Sequence, residues 1–319
     1  MAAQSDEKGG DDVWASIVAK LIDPETGAKP VLTDAGDLAA AGRRLSPFAR
    51  GGHGRGRQLN LELVPHQGSL VRSEREVLRA LEPALARARL NGVESFSCRH
   101  QSPGLRLTFV GAKVDADVLA EVTATVERLY QRGLVSRAIG CVYEPDVHTF
   151  GGPAACLALL RYFDADTTAW LTWERNFAEQ PPFPAATLAF AVIDDLYSRS
   201  LQSRSEVASA WVALAKRYRA YRGVEPPTKA ASLSSLIAAG GARAGTITRA
   251  YVLANQRLCG DLRKIELDGE LRVSRRRLLT MVADLHCNRL RLLPDEIVGM
   301  ARARAASLRG DPDAAFEAG

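Results

Sequence analysis

Three polar residues interrupt an apolar helical pattern near the end of the chain. His286, Asn288 and Arg289 lie within the run LLTMVADLHCNRLRLLPDEI, which begins at Leu278. Polar side chains in such a run must be hydrogen-bonded or face a cavity, because burying an unpartnered polar group costs free energy. Histidine has an unperturbed pKa near neutrality, so His286 is the residue best suited to proton transfer. The alternative is a hydrogen-bonded histidine of the core.

A second polar group lies in the decapeptide YEPDVHTFGG, residues 143–152. This segment follows an apolar, strand-like run and precedes a helical pattern that opens at Pro153. Loops between a strand and a helix often carry binding residues. This loop offers the polar side chains Tyr143, Glu144, Asp146 and His148. A solvated, capped turn is the alternative interpretation.

The elements that must position these residues follow a recognisable order. Between residues 58 and 142 the pattern predicts β-α-β-β-α-β, with a capping box at Ser73 and Glu76 opening the first helix. The predicted strands are 59–64, 93–100, 105–110 and 134–142, and the predicted helices are 73–90 and 115–132. From Pro153 onward the pattern is helical throughout. We therefore expect an α+β fold, in which a ferredoxin-like sheet unit is followed by a mostly helical C-terminal half.

Composition also predicts the domain organisation. Residues 1–57 read as a flexible N-terminal region that includes a short amphipathic helix over residues 14–22. Residues 58–309 are predicted to form a single α+β catalytic domain, divided into a sheet half (58–150) and a helical half (151–309). Residues 310–319 read as a disordered tail.

Charge and cysteine content exclude several classes of function. The 319 residues carry a formal charge of +5, and only 43–57 and 272–277 are locally basic, so nucleic-acid binding is disfavoured. No apolar run is long enough to span a membrane, and the chain opens without a secretory signal. The five cysteines form no Cys-x-x-Cys pair and indicate reduced thiols in a cytoplasmic protein. Neither a metal site nor a nucleotide-binding motif is present, so we expect no cofactor.

Three segments resemble motifs of one family in that family's order. YEPDVHTFGG resembles the signature Tyr-x-Pro-Glu-x-x-Arg-Tyr-Gly-Gly, SPGLRLTF resembles a Pro-His-Leu-Arg-Leu-Arg-Phe hairpin, and DLHCNRL resembles His-x-Asn-Arg-Leu. The helix PAACLALLRYFDADTTAWL is similar to the family's helix, with Asp166-Thr167 in place of its Asp-Ser step. Over roughly residues 58–305 the chain thus resembles the lantibiotic dehydratase C-terminal domain, also called the thiopeptide-type bacteriocin biosynthesis domain.

The resemblance implies one of two reactions on a ribosomally made peptide. Some members eliminate glutamate from glutamylated Ser or Thr, using two hairpin arginines, a Glu and an Arg of the signature, and the closing His. Here Arg106 and His286 match, Asp146 replaces the Glu, and Thr108 and Thr149 replace two arginines. Because guanidinium groups are the usual ligands of carboxylates, their loss argues against a glutamyl-binding pocket.

The other reaction joins two dehydroalanines in a formal four-plus-two cycloaddition, with loss of water and the leader peptide. The pattern is most like that of the stand-alone thiopeptide pyridine synthases, which we take as the first hypothesis. The residues predicted to carry out proton transfer and amide polarisation are then His286, Tyr143, Asp146 and His148. Substrate binding falls to Arg106, Asn288, Arg289 and Glu144. Glutamyl elimination and a non-catalytic peptide-binding subunit remain the alternatives.

The expected partner is a precursor peptide with an acidic leader, together with other biosynthetic enzymes of its pathway. Arginines of the N-terminal region would recruit that leader electrostatically, namely Arg43, Arg44, Arg50, Arg55 and Arg57.

Overall fold

A computed structural model of the chain describes residues 55–65, 69–111, 114, 116–145, 147–223 and 231–310. The chain divides into two compact units, with the boundary between Pro145 and Asp146. The helix predicted over residues 14–22, most of the N-terminal region, Asp146 and residues 311–319 lie outside the described residues. The division into a flexible region, one catalytic domain and a tail therefore stays a prediction.

The first unit is a four-stranded antiparallel sheet with two helices. The elements are β1 (Arg55–Leu63), α1 (Leu70–Leu90), β2 (Ser95–Gln101), β3 (Gly104–Gly111), α2 (Ala116–Gln131) and β4 (Val135–Val142). The strands lie in the order β2-β3-β1-β4, and every neighbouring pair is antiparallel. The predicted β-α-β-β-α-β order is confirmed.

Alternation along the central strand β1 explains how the sheet packs. Leu59, Leu61 and Leu63 are buried, while the residues between them point to the other face and are half-buried. The helices α1 and α2 contact each other, and they also contact β1 and β4 respectively. The strand β3 is buried along nearly its whole length, which fits its central position in the sheet.

Two local predictions in this unit need correction. The strand β1 begins at Arg55, so residues 55–57 belong to the sheet rather than to the flexible N-terminal region. Arg57 lies on the same face as Leu59 and is only 2% exposed, so it is not displayed for a leader peptide. The helix α1 begins at Leu70 with Ser69 as its N-cap, one turn before the predicted cap at Ser73.

The second unit is built from helices in its described part. They are α3 (Pro153–Phe177), α4 (Ala185–Ser200), α5 (Arg204–Arg217), α6 (Leu233–Ala239), α7 (Gly241–Leu267), α8 (Arg275–Arg289) and α9 (Pro294–Arg309). Large aromatic side chains fill its core, among them Trp170, Trp211, Tyr197 and Tyr251. A mostly helical C-terminal half is therefore confirmed. Across the described residues, no helix is both long and apolar enough to cross a membrane.

The two glycines before α3 make a tight turn. Gly151 and Gly152 have φ angles of 82° and 108°, a region that side-chain-bearing residues rarely adopt. A Cβ atom at Gly152 would lie 3.0 Å from the carbonyl oxygen of Glu270, and the Gly151 carbonyl accepts a hydrogen bond from the Arg272 backbone. The glycine pair thus serves the turn and the close approach of the 270–272 segment.

Candidate functional site

Helices α3 and α8 bring three charged or titratable side chains together in the core of the second unit. Asp166 is 0% exposed, His286 1% and Arg289 2%. The Nδ1 atom of His286 lies 2.9 Å from Oδ1 of Asp166. The other carboxylate oxygen of Asp166 accepts a hydrogen bond from Nη1 of Arg289. One carboxylate therefore holds both a histidine and an arginine.

Helical spacing explains why these residues meet. His286 and Arg289 are three residues apart, so they lie on the same face of α8. On α3, Asp166 belongs to the buried stripe that also contains Tyr162, Phe163 and Trp170. Packing of α3 on α8 places the single acid of this stripe opposite the two basic residues.

The carboxylate of Asp166 is ionised at neutral pH. Burial raises its pKa, but the charges of Arg289 and His286, and the hydrogen bond from His286, outweigh burial and hold the pKa below its ordinary value. An ionised carboxylate accepts the Nδ1 proton of His286, which fixes the tautomer and the orientation of the ring. The Nε2 atom is buried and has no hydrogen-bond partner within the described part of the chain. It is the atom at which this imidazole can take or give a proton.

Two buried tyrosines, Tyr251 and Tyr162, lie near Asp166 and His286. The ring of Tyr251, on α7, contacts the His286 ring edge to face, with centroids 5.4 Å apart. Burial raises the pKa of Tyr251 well above its usual value, and the negative charge of Asp166 raises it further. Tyr162 behaves in the same way. Both hydroxyls therefore stay protonated at neutral pH and act as hydrogen-bond donors.

A hydrogen-bond network behind the site holds three helices together. The Tyr162 hydroxyl donates to Oδ1 of Asn255 at 3.2 Å. The amide nitrogen of Asn255 donates to the Val192 carbonyl and to the Asp195 carboxylate, each at 2.9 Å. These contacts join α3, α7 and α4, so they fix the stretch of α3 that carries Asp166.

The guanidinium of Arg289 is enclosed by aromatic and acidic groups. Its Cζ atom lies 5.9 Å from the centroid of the Phe163 ring, a cation–π distance. Its charge is compensated by Asp166. Arg289 is therefore already ion-paired and does not form an open anion-binding site.

The residues predicted from the sequence lie in both units. In the second unit, His286 and Arg289 meet through Asp166, and Asn288 is half-buried on the same helix. His148 is exposed in the turn before α3, and no hydrogen bond or ion pair between described residues links it to the Asp166 cluster.

The remaining predicted residues, apart from Asp146, belong to the first unit. Arg106 is half-buried on β3, where its Nε donates to Oδ1 of Asn60 at 2.8 Å. Tyr143 is half-buried, its backbone N–H donates to the Gly56 carbonyl, and Glu144 is exposed. Asp146 lies outside the described residues. The roles predicted for this group stay predictions.

Sequence reasoning did not select Asp166, Tyr162 or Tyr251 for the site. Asp166 carried a usable signal, since it is an acid in the middle of an apolar helical stripe, where an ionised group needs a buried partner. The tyrosines carried none, because a tyrosine on an apolar face is ordinary in a core. No group of three or more His, Cys, Asp and Glu side chains within the described ranges could hold a metal ion.

Comparisons with known proteins point to one family. The family described as lantibiotic biosynthesis dehydratase C-term matches residues 68–303. The fold is similar to that of the tRNA-dependent lantibiotic dehydratase MibB from Microbispora sp. 107891, with a TM-score of 0.59 and 18% identity. The similarity covers 83% of this chain but 29% of MibB. The crystal structure of TsrL is also similar, with a TM-score of 0.50, 16% identity, and coverage of 82% of this chain and 96% of TsrL. No curated protein sequence matches the chain.

Proposed function

Because the chain belongs to the family of lantibiotic dehydratase C-terminal domains, as its three motifs predicted, we propose that it acts on a ribosomally made precursor peptide as a cofactor-free pyridine synthase. The reaction is a formal four-plus-two cycloaddition of two dehydroalanines, followed by loss of water and of the leader peptide. The chain spans 29% of the length of MibB, so the activity of that larger protein is not transferred to it.

The pairing of Arg289 with Asp166 supports this choice most strongly. Glutamyl elimination requires cations that grip the glutamyl carboxylate. Arg289 is the arginine that lies beside His286, and its charge is already compensated by a buried carboxylate. Thr108 and Thr149 occupy two positions where eliminating members carry arginine. Uncharged alkenes need no such cation.

His286 is proposed to transfer the protons of this reaction. One peptide amide must first become an azadiene, which moves a proton from its nitrogen to its oxygen. Asp166 holds the Nδ1 proton and thereby leaves Nε2 to accept or donate one. The same atom serves again when the cyclic adduct loses water and then expels the leader as an amide. We also assign Tyr251 as a hydrogen-bond donor to the substrate, because its ring contacts that of His286 and its hydroxyl stays protonated at neutral pH.

Two other functions have some support. Glutamyl elimination is favoured by Arg106, which matches one of the hairpin arginines of the eliminating members. A non-catalytic, peptide-binding subunit is favoured by the near-complete burial of His286, since substrate must reach Nε2 for catalysis.

Mass spectrometry on a synthetic precursor peptide distinguishes the three. With a peptide that carries two dehydroalanines, pyridine synthesis predicts loss of water, release of the leader and a new ultraviolet absorption. Elimination predicts a mass change only when Ser is glutamylated, and a silent subunit predicts binding without a mass change.

The His286→Asn variant tests the proton-transfer role directly. An asparagine amide can still donate to Asp166 but cannot titrate, so we expect a loss of turnover of about 10²–10⁴-fold. The exposed Lys216→Gln variant serves as a control and should keep wild-type turnover. Full activity in a folded His286→Asn protein, judged by circular dichroism, would remove His286 from the mechanism.

A further inference from the structure

The 27-residue helix α7 displays a basic face to solvent. Its exposed cations are Arg243, Arg249, Arg257, Arg263 and Lys264. Leu253 and Leu267 lie on the same side and are 53% and 82% exposed. The α7 basic face, as the term is used below, consists of these seven residues, with Arg249, Leu253, Arg257, Lys264 and Leu267 along its middle and Arg243 and Arg263 at its two edges.

Helical geometry sets the width and length of this face. Positions 249, 253, 257, 260, 264 and 267 recur at spacings of three or four, so they form one stripe. The opposite side of the helix carries Tyr251, Asn255, Leu258 and Leu262, which are buried. At 1.5 Å per residue, the stripe from 249 to 267 is about 27 Å long, enough for a docked segment of about 18 helical residues.

The charge of the face is not compensated within the described residues. The two acidic residues near the end of α7 are already engaged, Asp261 with Arg161 at 3.7 Å and Glu266 with Arg275. None of the five cations of the face forms an ion pair with any residue in the described ranges. A surface with five uncompensated cations attracts an anionic partner and accelerates its association.

The two exposed leucines indicate which class of anionic partner binds the α7 basic face. A nucleic acid would neutralise the cations but would leave two large aliphatic side chains uncovered, and no exposed aromatic residue interrupts the stripe for base stacking. An amphipathic peptide can place carboxylates against the cations and apolar side chains on Leu253 and Leu267. The spacing of both features therefore fits an acidic peptide.

We propose that the α7 basic face binds an acidic, amphipathic segment of the peptide substrate. This inference rests on the proposed function in that the segment belongs to the precursor peptide. In this proposal the acidic segment binds to a defined surface of the helical unit instead of to the N-terminal arginines. The segment binds there while the reacting residues of the same peptide are processed elsewhere on the protein.

Fluorescence anisotropy with a designed peptide tests the surface. The probe is a labelled 20-residue helix of Glu, Ala and Leu, with Leu repeated at spacings of three and four. The triple variant Arg249→Gln, Arg257→Gln, Lys264→Gln should raise the Kd at least tenfold. The control variant Lys216→Gln, Arg219→Gln, Arg309→Gln removes the same charge from exposed positions elsewhere and should change the Kd less than twofold.

Two further comparisons probe the leucines and the class of anion. Leu253→Ser should weaken peptide binding about threefold or more, and it should leave binding of polyuridylate of equal charge unchanged. Equal losses in the two triple variants would overturn the proposal, because binding would then follow net charge. Polyuridylate that binds as tightly as the peptide, with the same dependence on the α7 cations, would overturn it in favour of a general polyanion site.

A separate readout keeps this proposal distinct from the proposed function. Turnover of a leaderless peptide with two dehydroalanines should be unchanged by the α7 triple variant, since the face lies on the side of α7 opposite Tyr251 and Asn255. If the wild-type protein turns over no such peptide but binds the acidic probe through α7, the pyridine synthase proposal fails and the docking surface stands. If turnover occurs and the probe does not bind, the docking surface fails alone.

Discussion

Substituting Asp166 by asparagine should destabilise the helical unit strongly. The substitution preserves shape but removes a charge that lies between two buried basic groups, His286 at 2.9 Å and the directly bonded Arg289. An uncompensated guanidinium would then remain at 2% exposure. Breaking a buried pair in this way costs about 3–5 kcal/mol in free energy of unfolding. For a unit of this size, that lowers the Tm by roughly 6–20 °C, at about 2–4 °C per kcal/mol.

The matched control is the same substitution at an exposed ion pair. Asp261 pairs with Arg161, and the two side chains are 42% and 72% exposed, so Asp261→Asn should cost under about 1 kcal/mol. Adding Arg289→Met to Asp166→Asn should recover part of the loss, because the stranded cation is then removed. Thermal unfolding followed by circular dichroism measures all four proteins.

The dependence on pH follows from the sign of the pKa shift. Folding lowers the pKa of Asp166 below its unfolded value of about 3.9, so the ionised form stabilises the folded state at neutral pH. That contribution is lost as the pH falls through the lowered pKa. The difference in Tm between wild type and Asp166→Asn should therefore be largest near neutrality and should shrink below about pH 4. A loss under about 1 kcal/mol at pH 7, or a difference that grows in acid, would refute the buried ion-pair account.

Two further substitutions test the site and the sheet. Tyr251→Phe removes only the hydroxyl from the ring that contacts His286. If that hydroxyl assists the reaction, turnover of a dehydroalanine peptide should fall at least tenfold while the Tm changes little. Unchanged turnover would assign Tyr251 to packing alone. Gly104→Ala should unfold the sheet unit or lower its Tm markedly, because the new Cβ would lie 1.9 Å from the Leu61 carbonyl oxygen. Gly260→Ala in α7 should raise the free energy of unfolding by about 0.8–1 kcal/mol, because its Cβ would meet nothing within 4 Å. Similar Tm values for the two glycine variants would contradict the close approach of β3 to β1.

The fold followed from local patterns because its sheet and helices have different hydrophobic periods. Leu59, Leu61 and Leu63 alternate with polar residues, which left little choice of face for β1. Boundaries were less secure, as the cap at Ser69 rather than Ser73 shows, since both serines satisfy the local requirement for a side-chain acceptor. The burial of Arg57 depended on its register beside β3 and β4, which composition does not reveal.

The sequence by itself determined the family motifs, the strand and helix order, and the presence of polar residues on the apolar face of α8. It also placed an acid on the buried stripe of α3, although the significance of Asp166 emerged only with its partner. Tertiary structure alone decided that Asp166 pairs with His286, 120 residues away, and that Arg289 is committed to the same carboxylate. Periodicity reports which face of a helix is buried but not which helix lies against it, because that choice depends on packing among all the helices of the unit.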